Sequence, residues 1–315
     1  MDRLMPAIPL GALVALVACA PLGSPTVSPR AVAAADSAVR AAMARESAID
    51  PRTFPETTVG VTPFRVTTSD TTLLVLGYGL ADILITDLAR AGRLRVVDRL
   101  RVDALMRELA LAESGRVDSA TAPRAGRLLG ARRLVMGSLT TDPRGPARLD
   151  GRVGDVLTGR VTGTPASRAP IDAILDAEKT LVFSLFQTLG VTLTPAERSL
   201  VEQRPTRSLA ALLAYSRGVR AEQLKDFRGA RNGYRAALQV DPAFGGAQQR
   251  LGLIEAWLAE VNPAPSGVGT AFMNPAGILA VEGVNRSVAP DLFGSTEPAF
   301  RQRLAATLIL IIQLP

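Results

Sequence analysis

Between residues 58 and 140 the chain alternates strand-forming and helix-forming runs, and no other feature restricts its possible folds as much. Thr58 to Val66 is rich in β-branched residues. Leu74 to Ala91 then places Leu76, Leu80, Ile83, Leu84, Leu88 and Ala91 on one face of a 3.6-residue period, with Asp82, Thr86 and Arg90 on the opposite face. Gly92 follows where a left-handed cap is usual. Leu94 to Val97 is short and apolar, and a helix from Arg99 to Ala112 presents Val102, Leu105, Met106, Leu109 and Ala112. A second helix starts with Thr121 as cap and Pro123 in its first turn, closes at Gly130, and leads into the apolar run Leu134 to Leu139. A helix between two strands packs back onto the sheet by a right-handed crossover, so a parallel α/β layer is expected.

Beyond this stretch the period changes twice. From Leu149 to Gly163, Leu149, Val153, Leu157 and Val161 are apolar, while Arg152, Thr158, Arg160 and Thr162 alternate with them. This predicts a half-buried strand pair turning near Asp155 to Gly159. Its arms are too short for membrane-spanning strands, which need about 9 to 11 residues. Pro170 to Leu189 is the longest periodic helix, stopped by Gly190, and Thr194 to Glu197 (TPAE) is a capping box with proline at the first helical position. Upstream, Ala31 to Ala48 has helical propensity, but its apolar face is mostly alanine, so a partly loose helix ending at Pro51 is expected. Pro263 to Glu297 reads as a linker. Leu304 to Leu314 reads as a terminal strand that needs a sheet, its own or a partner's.

The chain has no histidine and one cysteine among 315 residues. Histidine-based catalysis, histidine metal sites, Cys/His pairs and intrachain disulfides are thereby excluded, and no metal or cofactor is expected. Gly77 and Gly79 lack the further glycines or lysine of a phosphate loop, so close helix packing or a turn is the expected role. Cys19 ends an apolar segment from Leu4 to Ala18, too short to span a membrane, and the preceding Leu-Val-Ala suits a lipoprotein signal cleavage site. Cleavage there removes Asp2 and Arg3 together and leaves the net charge at +7. Basic and acidic residues are interspersed and aromatics make up only 4%, so nucleic acid is not an expected partner.

Four fragments in order, Val59 to Phe64 (VGVTPF), Gly79 to Leu84 (GLADIL), Arg93 to Arg99 (RLRVVDR) and Gly126 to Ser138 (GRLLGARRLVMGS), carry a resemblance to a known family. Together they resemble the curli production assembly/transport component (CsgG-type) family and the related amino-terminal domain of TolB-like proteins, over roughly residues 58 to 190. Residues 211 to 244 resemble one tetratricopeptide repeat through Gly218, Ala221, Ala230, Tyr234, Ala237 and Pro242, with Ala214 where tryptophan is usual. One repeat cannot stand alone as a solenoid, so it must lean on the α/β domain or on a partner. Tyr215 and Glu222 are either the lining of a peptide groove or plain helical support. Gln248 to Val261 would cap the pair.

The expected fold class is α/β, a mixed sheet with packed helices, followed by a small tetratricopeptide-like helical segment and an irregular tail. The expected division is a signal peptide (1–18), a lipid anchor with a Pro/Ala-rich tether (19–56), the α/β domain (57–192), the helical segment (193–262), and a linker with a terminal strand (263–315). The resemblance implies an envelope lipoprotein held by Cys19, with Ala20 favouring the outer membrane on its periplasmic side. Its expected partners are the membrane and other envelope proteins or further copies of itself. A non-enzymatic binding or scaffold component of an assembly or secretion system is the leading reading. The family also implies a pore-forming alternative, whose members carry long hairpins and aromatic and amide side chains after the first strand; Thr67 to Thr72 holds neither. A third reading, an enzyme or nucleotide-binding domain, has only carboxylates, Ser, Tyr and Lys to draw on.

Overall fold

The computed structural model describes residues 27–109, 121–142, 145–164 and 166–261. Cys19 and the run from Leu304 to Leu314 lie outside them. Seven strands form one mixed sheet: β1 (Thr58–Val61), β2 (Arg65–Thr67), β3 (Arg95–Val96), β4 (Arg133–Thr140), β5 (Ala147–Asp155), β6 (Val161–Gly163) and β7 (Ser167–Ala169), in the order β3-β1-β4-β5-β6. β2 also pairs with β4, and β7 with β5. The first four strands are mutually parallel where they pair, as crossover helices require; β5 returns antiparallel along the whole of β4, and β6 and β7 run antiparallel to β5.

The expected first strand is broken in two. Val61 lies opposite Val135 and Arg65 opposite Ser138, so the three residues Thr62 to Phe64 face two on β4, Met136 and Gly137. Pro63, which has no N–H to give a ladder, sits in this bulge. The bulge turns the Phe64 ring onto Gly137, where an added Cβ would stand 2.3 Å from the ring. The Phe64 N–H donates to the Gly77 carbonyl at 2.9 Å.

Helices cover both faces of the sheet. On one face, α2 (Leu76–Ala89), entered through a 3₁₀ turn at Thr71–Val75, and α5 (Ile174–Thr188) bury Val59, Val61, Val135, Leu139, Leu149 and Val153. On the other, α3 (Arg99–Glu108) and α4 (Ala122–Leu129) bury Leu134 and Met136. The segment Thr71–Ala89 is long and apolar enough to cross a membrane, with a mean hydropathy of 1.6. Its apolar side chains are spent on the sheet and on the helices behind it, as in the core helix of a globular domain. α2 closes at Arg90 in right-handed conformation, not through a left-handed Gly92; Gly92 instead donates its N–H to Glu197 Oε1 at 3.1 Å. Gly130 and Gly190 do take the left-handed conformation, at φ 67° and 70°. The strand pair turns at Asp155 to Gly159 as expected, but Leu157 belongs to the turn and is exposed.

The Ala-rich amino-terminal helix α1 (Pro29–Ala44) is docked where a partly loose helix was expected. Val39 is fully buried against α3 and α4, and Asp36 accepts from Arg107 Nη2 at 2.7 Å and from Lys225 Nζ at 2.6 Å. Two ion pairs to one carboxylate and one valine thus supply what the alanine face lacks. After α6 (Pro195–Glu202), whose Thr194–Glu197 capping box forms as the sequence predicts, three helices follow: α7 (Leu209–Gln223), α8 (Phe227–Val240) and α9 (Gly245–Val261). α7 and α8 approach until Gly233 meets Gly218, where an added Cβ would lie 2.5 Å from the Gly218 nitrogen. α7 lies on the back of α2, and a Cβ on Gly79 would stand 2.0 Å from Ser216 Oγ. Close helix packing is therefore the work of Gly79, and the helical hairpin leans on the α/β layer.

Candidate functional site

The crossing of α2 and α7 encloses a charge cluster drawn from five helices. Asp82 comes from α2, Arg99 and Asp103 from α3, Tyr215 and Glu222 from α7, Tyr234 from α8 and Arg250 from α9. The Arg99 guanidinium donates through Nη1 to Asp82 at 3.1 Å and through Nη2 to Glu222, and its Nε lies 3.4 Å from Asp103. Arg250 spans the same two acids, reaching Asp82 through Nη2 and Glu222 through Nη1 at 3.2 Å. The Tyr215 hydroxyl donates to Asp82, and the Tyr234 hydroxyl donates to Glu222 at 2.8 Å.

Each ionised group here survives burial because of its neighbours. Burial alone would raise Asp82, but the Arg250 and Arg99 charges and the Tyr215 hydroxyl outweigh it and hold the carboxyl below the usual range. Asp103 is pushed up to about 6, first by burial and then by Glu222, against the pull of Arg99. Burial and the Asp82 carboxylate push the Tyr215 phenol up, so it remains a proton donor.

Tyr215 and Glu222 are thus brought together, but inside the body: they are 3% and 5% exposed and line no open groove. The void beside the cluster, bounded by Tyr78, Asp82, Arg99 and Gln223, measures only about 10 Å³, room for one water at most. Asp82, which the helical period places opposite the apolar face, is 2% exposed because α7 and α9 cover the polar face of α2. One sequence signal points to the cluster. Arg99 opens α3 and Glu222 lies in the last turn of α7, each at the helix end whose dipole opposes its charge. Side chains so placed need partners elsewhere, and these two find each other.

A second buried group lies between α2 and α5. Lys179 pairs with Asp87, and its Nζ is 3.3 Å from Glu178 Oε2, while neither Glu178 oxygen makes a well-aligned hydrogen bond. Burial and the nearby Asp87 carboxylate push Glu178 up to about 8, so at neutral pH it holds its proton beside the Asp87–Lys179 pair. A larger open cleft of about 300 Å³ lies between the start of α5 and the start of α7, where Asp172 and Asp176 balance Arg204 and Arg207. Among the described residues no group of His, Cys, Asp and Glu is arranged to hold a metal ion.

A family model matches the part of the molecule built from the end of α1 through β4. Residues 41–142 match the family model described as curli production assembly/transport component CsgG. The chain carries a CsgG-type segment. That segment covers about a third of the chain and includes all four fragments that carry the resemblance. No curated protein matches the chain. Among solved structures it is similar to the LpoB C-terminal domain from Salmonella enterica, at 15% identity and a TM-score of 0.29, covering 43% of this chain and 98% of that one. The structure of LpoB from E. coli gives 16% identity and 0.29, with 54% and 84% covered. Lipoprotein GNA1162 from Neisseria meningitidis gives 15% and 0.30, with 44% and 99% covered.

Proposed function

We propose that this chain is a lipid-anchored envelope protein that binds other components of an assembly or secretion apparatus and performs no chemistry of its own. The observation that carries this reading is the sealing of the charge cluster at the helix crossing. Its carboxylates, tyrosines and arginines are paired with one another beside a void of about 10 Å³, and they fasten the helical hairpin to the CsgG-type layer. What such a body offers is surface. The pore alternative is not favoured by the strand pair, because β5 is paired to β4 along its whole length and packed beneath α5.

Attachment is proposed through a lipidated Cys19, on the periplasmic side of the outer membrane as Ala20 favours. A cell labelled with a fatty-acid analogue should incorporate label into the wild-type protein and none into Cys19→Ser, with the unlabelled variant released from membranes. Unchanged labelling of the variant would overturn the anchor.

A further inference from the structure

The sheet face shared by α3 and α4 is only half covered. Among the described residues the packed cluster on that side ends at Met136, and beyond it no described helix covers the same face. Side chains alternate across a strand, so the even-numbered residues of β4, β5 and β7 and the odd-numbered residues of β2 share this open face. The register puts Arg65 beside Ser138 and Asp150, Thr67 beside Thr140 and Arg148, and Arg168 beside Arg148. Arg152 lies one pair further along β5, opposite Met136. All four of these arginines are exposed.

Two details set this patch apart from an ordinary solvated face. Arg148 and Arg168 are directly opposite on antiparallel strands, an arrangement of like charges that weakens a sheet. Arg148 is held flat by Asp150, with Nε to Oδ2 at 2.9 Å and Nη2 to Oδ1 at 2.8 Å, whereas Arg65, Arg152 and Arg168 have no hydrogen-bond or ion-pair partner among the described residues. Four guanidiniums therefore face one carboxylate on a surface framed by three hydroxyl residues. The fold gains nothing from that imbalance.

We propose that this open sheet face is a docking surface for an acidic protein partner, one that presents carboxylates to Arg65, Arg152 and Arg168. The planar fork of a guanidinium matches a carboxylate in two hydrogen bonds, and Thr67, Ser138 and Thr140 supply neutral donors between the forks. A lipid surface fits less well: among the described residues the strands of this face present no exposed apolar side chain to insert, and Asp150 sits within the patch. Single-stranded nucleic acid would require stacking aromatics, and none is exposed on this face among the described residues. This inference rests on the reading of the chain as a binding component and names the chemistry of what it binds.

The test uses the whole protein and a fluorescent peptide of ten glutamates as probe, with vesicles containing phosphatidylglycerol as the second arm. Peptide binding should weaken as salt rises and fall by about tenfold or more in Arg152→Glu/Arg168→Glu. The control variant Arg217→Glu/Arg220→Glu, which makes the same charge change on α7, should bind like wild type. The melting temperature of the first variant should hold or rise, since the carboxylate introduced on β7 would face Arg148 with the opposite sign; that gain alongside lost binding is what a purely structural role would not produce. Equal loss in the control, binding unaffected by the first variant, or vesicle binding with no peptide binding would each overturn the proposal. Labelling of Cys19 is read independently, so failure of the docking surface and failure of the envelope reading are separable.

Discussion

Arg99→Leu should be the most damaging single change in the helix junction. The guanidinium contacts Asp82, Asp103 and Glu222, and its removal leaves Arg250 as the only cation bonded to Asp82 and Glu222 among the described residues. Breaking a buried pair from one side strands charge in a medium that cannot solvate it, at about 3–5 kcal/mol. For a body of this size that is a fall in melting temperature of about 6–20 °C. Equilibrium urea unfolding at pH 7.5 measures it. Arg99→Lys should recover less than half, because one ammonium cannot fork to three acids. The loss should also depend on pH. Asp103 is raised from 3.8 to about 6, so its contribution to stability is complete below about 4 and is lost as pH rises through 6. Without Arg99, which pulls it down, Asp103 rises further and the penalty extends above pH 6. The variant's deficit should therefore be larger at pH 7.5 than at pH 5. A deficit under about 1 kcal/mol, or one independent of pH, would refute the claim that this cluster fastens the hairpin to the layer.

Glu178→Gln should stabilise the protein progressively from pH 5 to pH 8.5, since burial raises Glu178 from 4.5 to about 8 and its stability contribution is lost across that window while glutamine stays neutral; thermal melts at the two pH values compare them, and an equal difference at both would contradict the assignment. Gly233→Ala should cost about 1–3 kcal/mol in urea unfolding, because its new Cβ would lie 2.5 Å from the Gly218 nitrogen and α7 and α8 would have to separate. A neutral result there would mean the two helices have slack at their crossing.

Where a local signal exists, the sequence predicts the element. The strand and helix alternation from Thr58 to Thr140, the Thr194–Glu197 capping box, and the Gly130 and Gly190 caps all depend on neighbours within a few residues, and all are present. The misses have a common cause in contacts made far along the chain. Asp82 looks solvent-facing until Arg250, 168 residues away, is brought to it. The amino-terminal helix looks weak until Lys225, 189 residues away, meets Asp36. Tyr215 and Glu222 stand out in the repeat-like segment, yet only the packing of α7 on α2 decides that they face inward. The opposed arginines on β5 and β7 require the sheet register, because β7 is three residues long and its pairing with Ala147 to Leu149 has no local signature.

The most direct test of the functional account is crosslinking of the intact, lipidated protein in living cells, followed by mass analysis of what it is joined to. The account predicts a discrete adduct between this chain and a different envelope protein, formed through exposed residues and lost when Cys19 is replaced by serine. A ladder of multiples of this chain alone, closing at a fixed ring size and accompanied by steady single-channel currents in a planar bilayer, would contradict it and establish the pore.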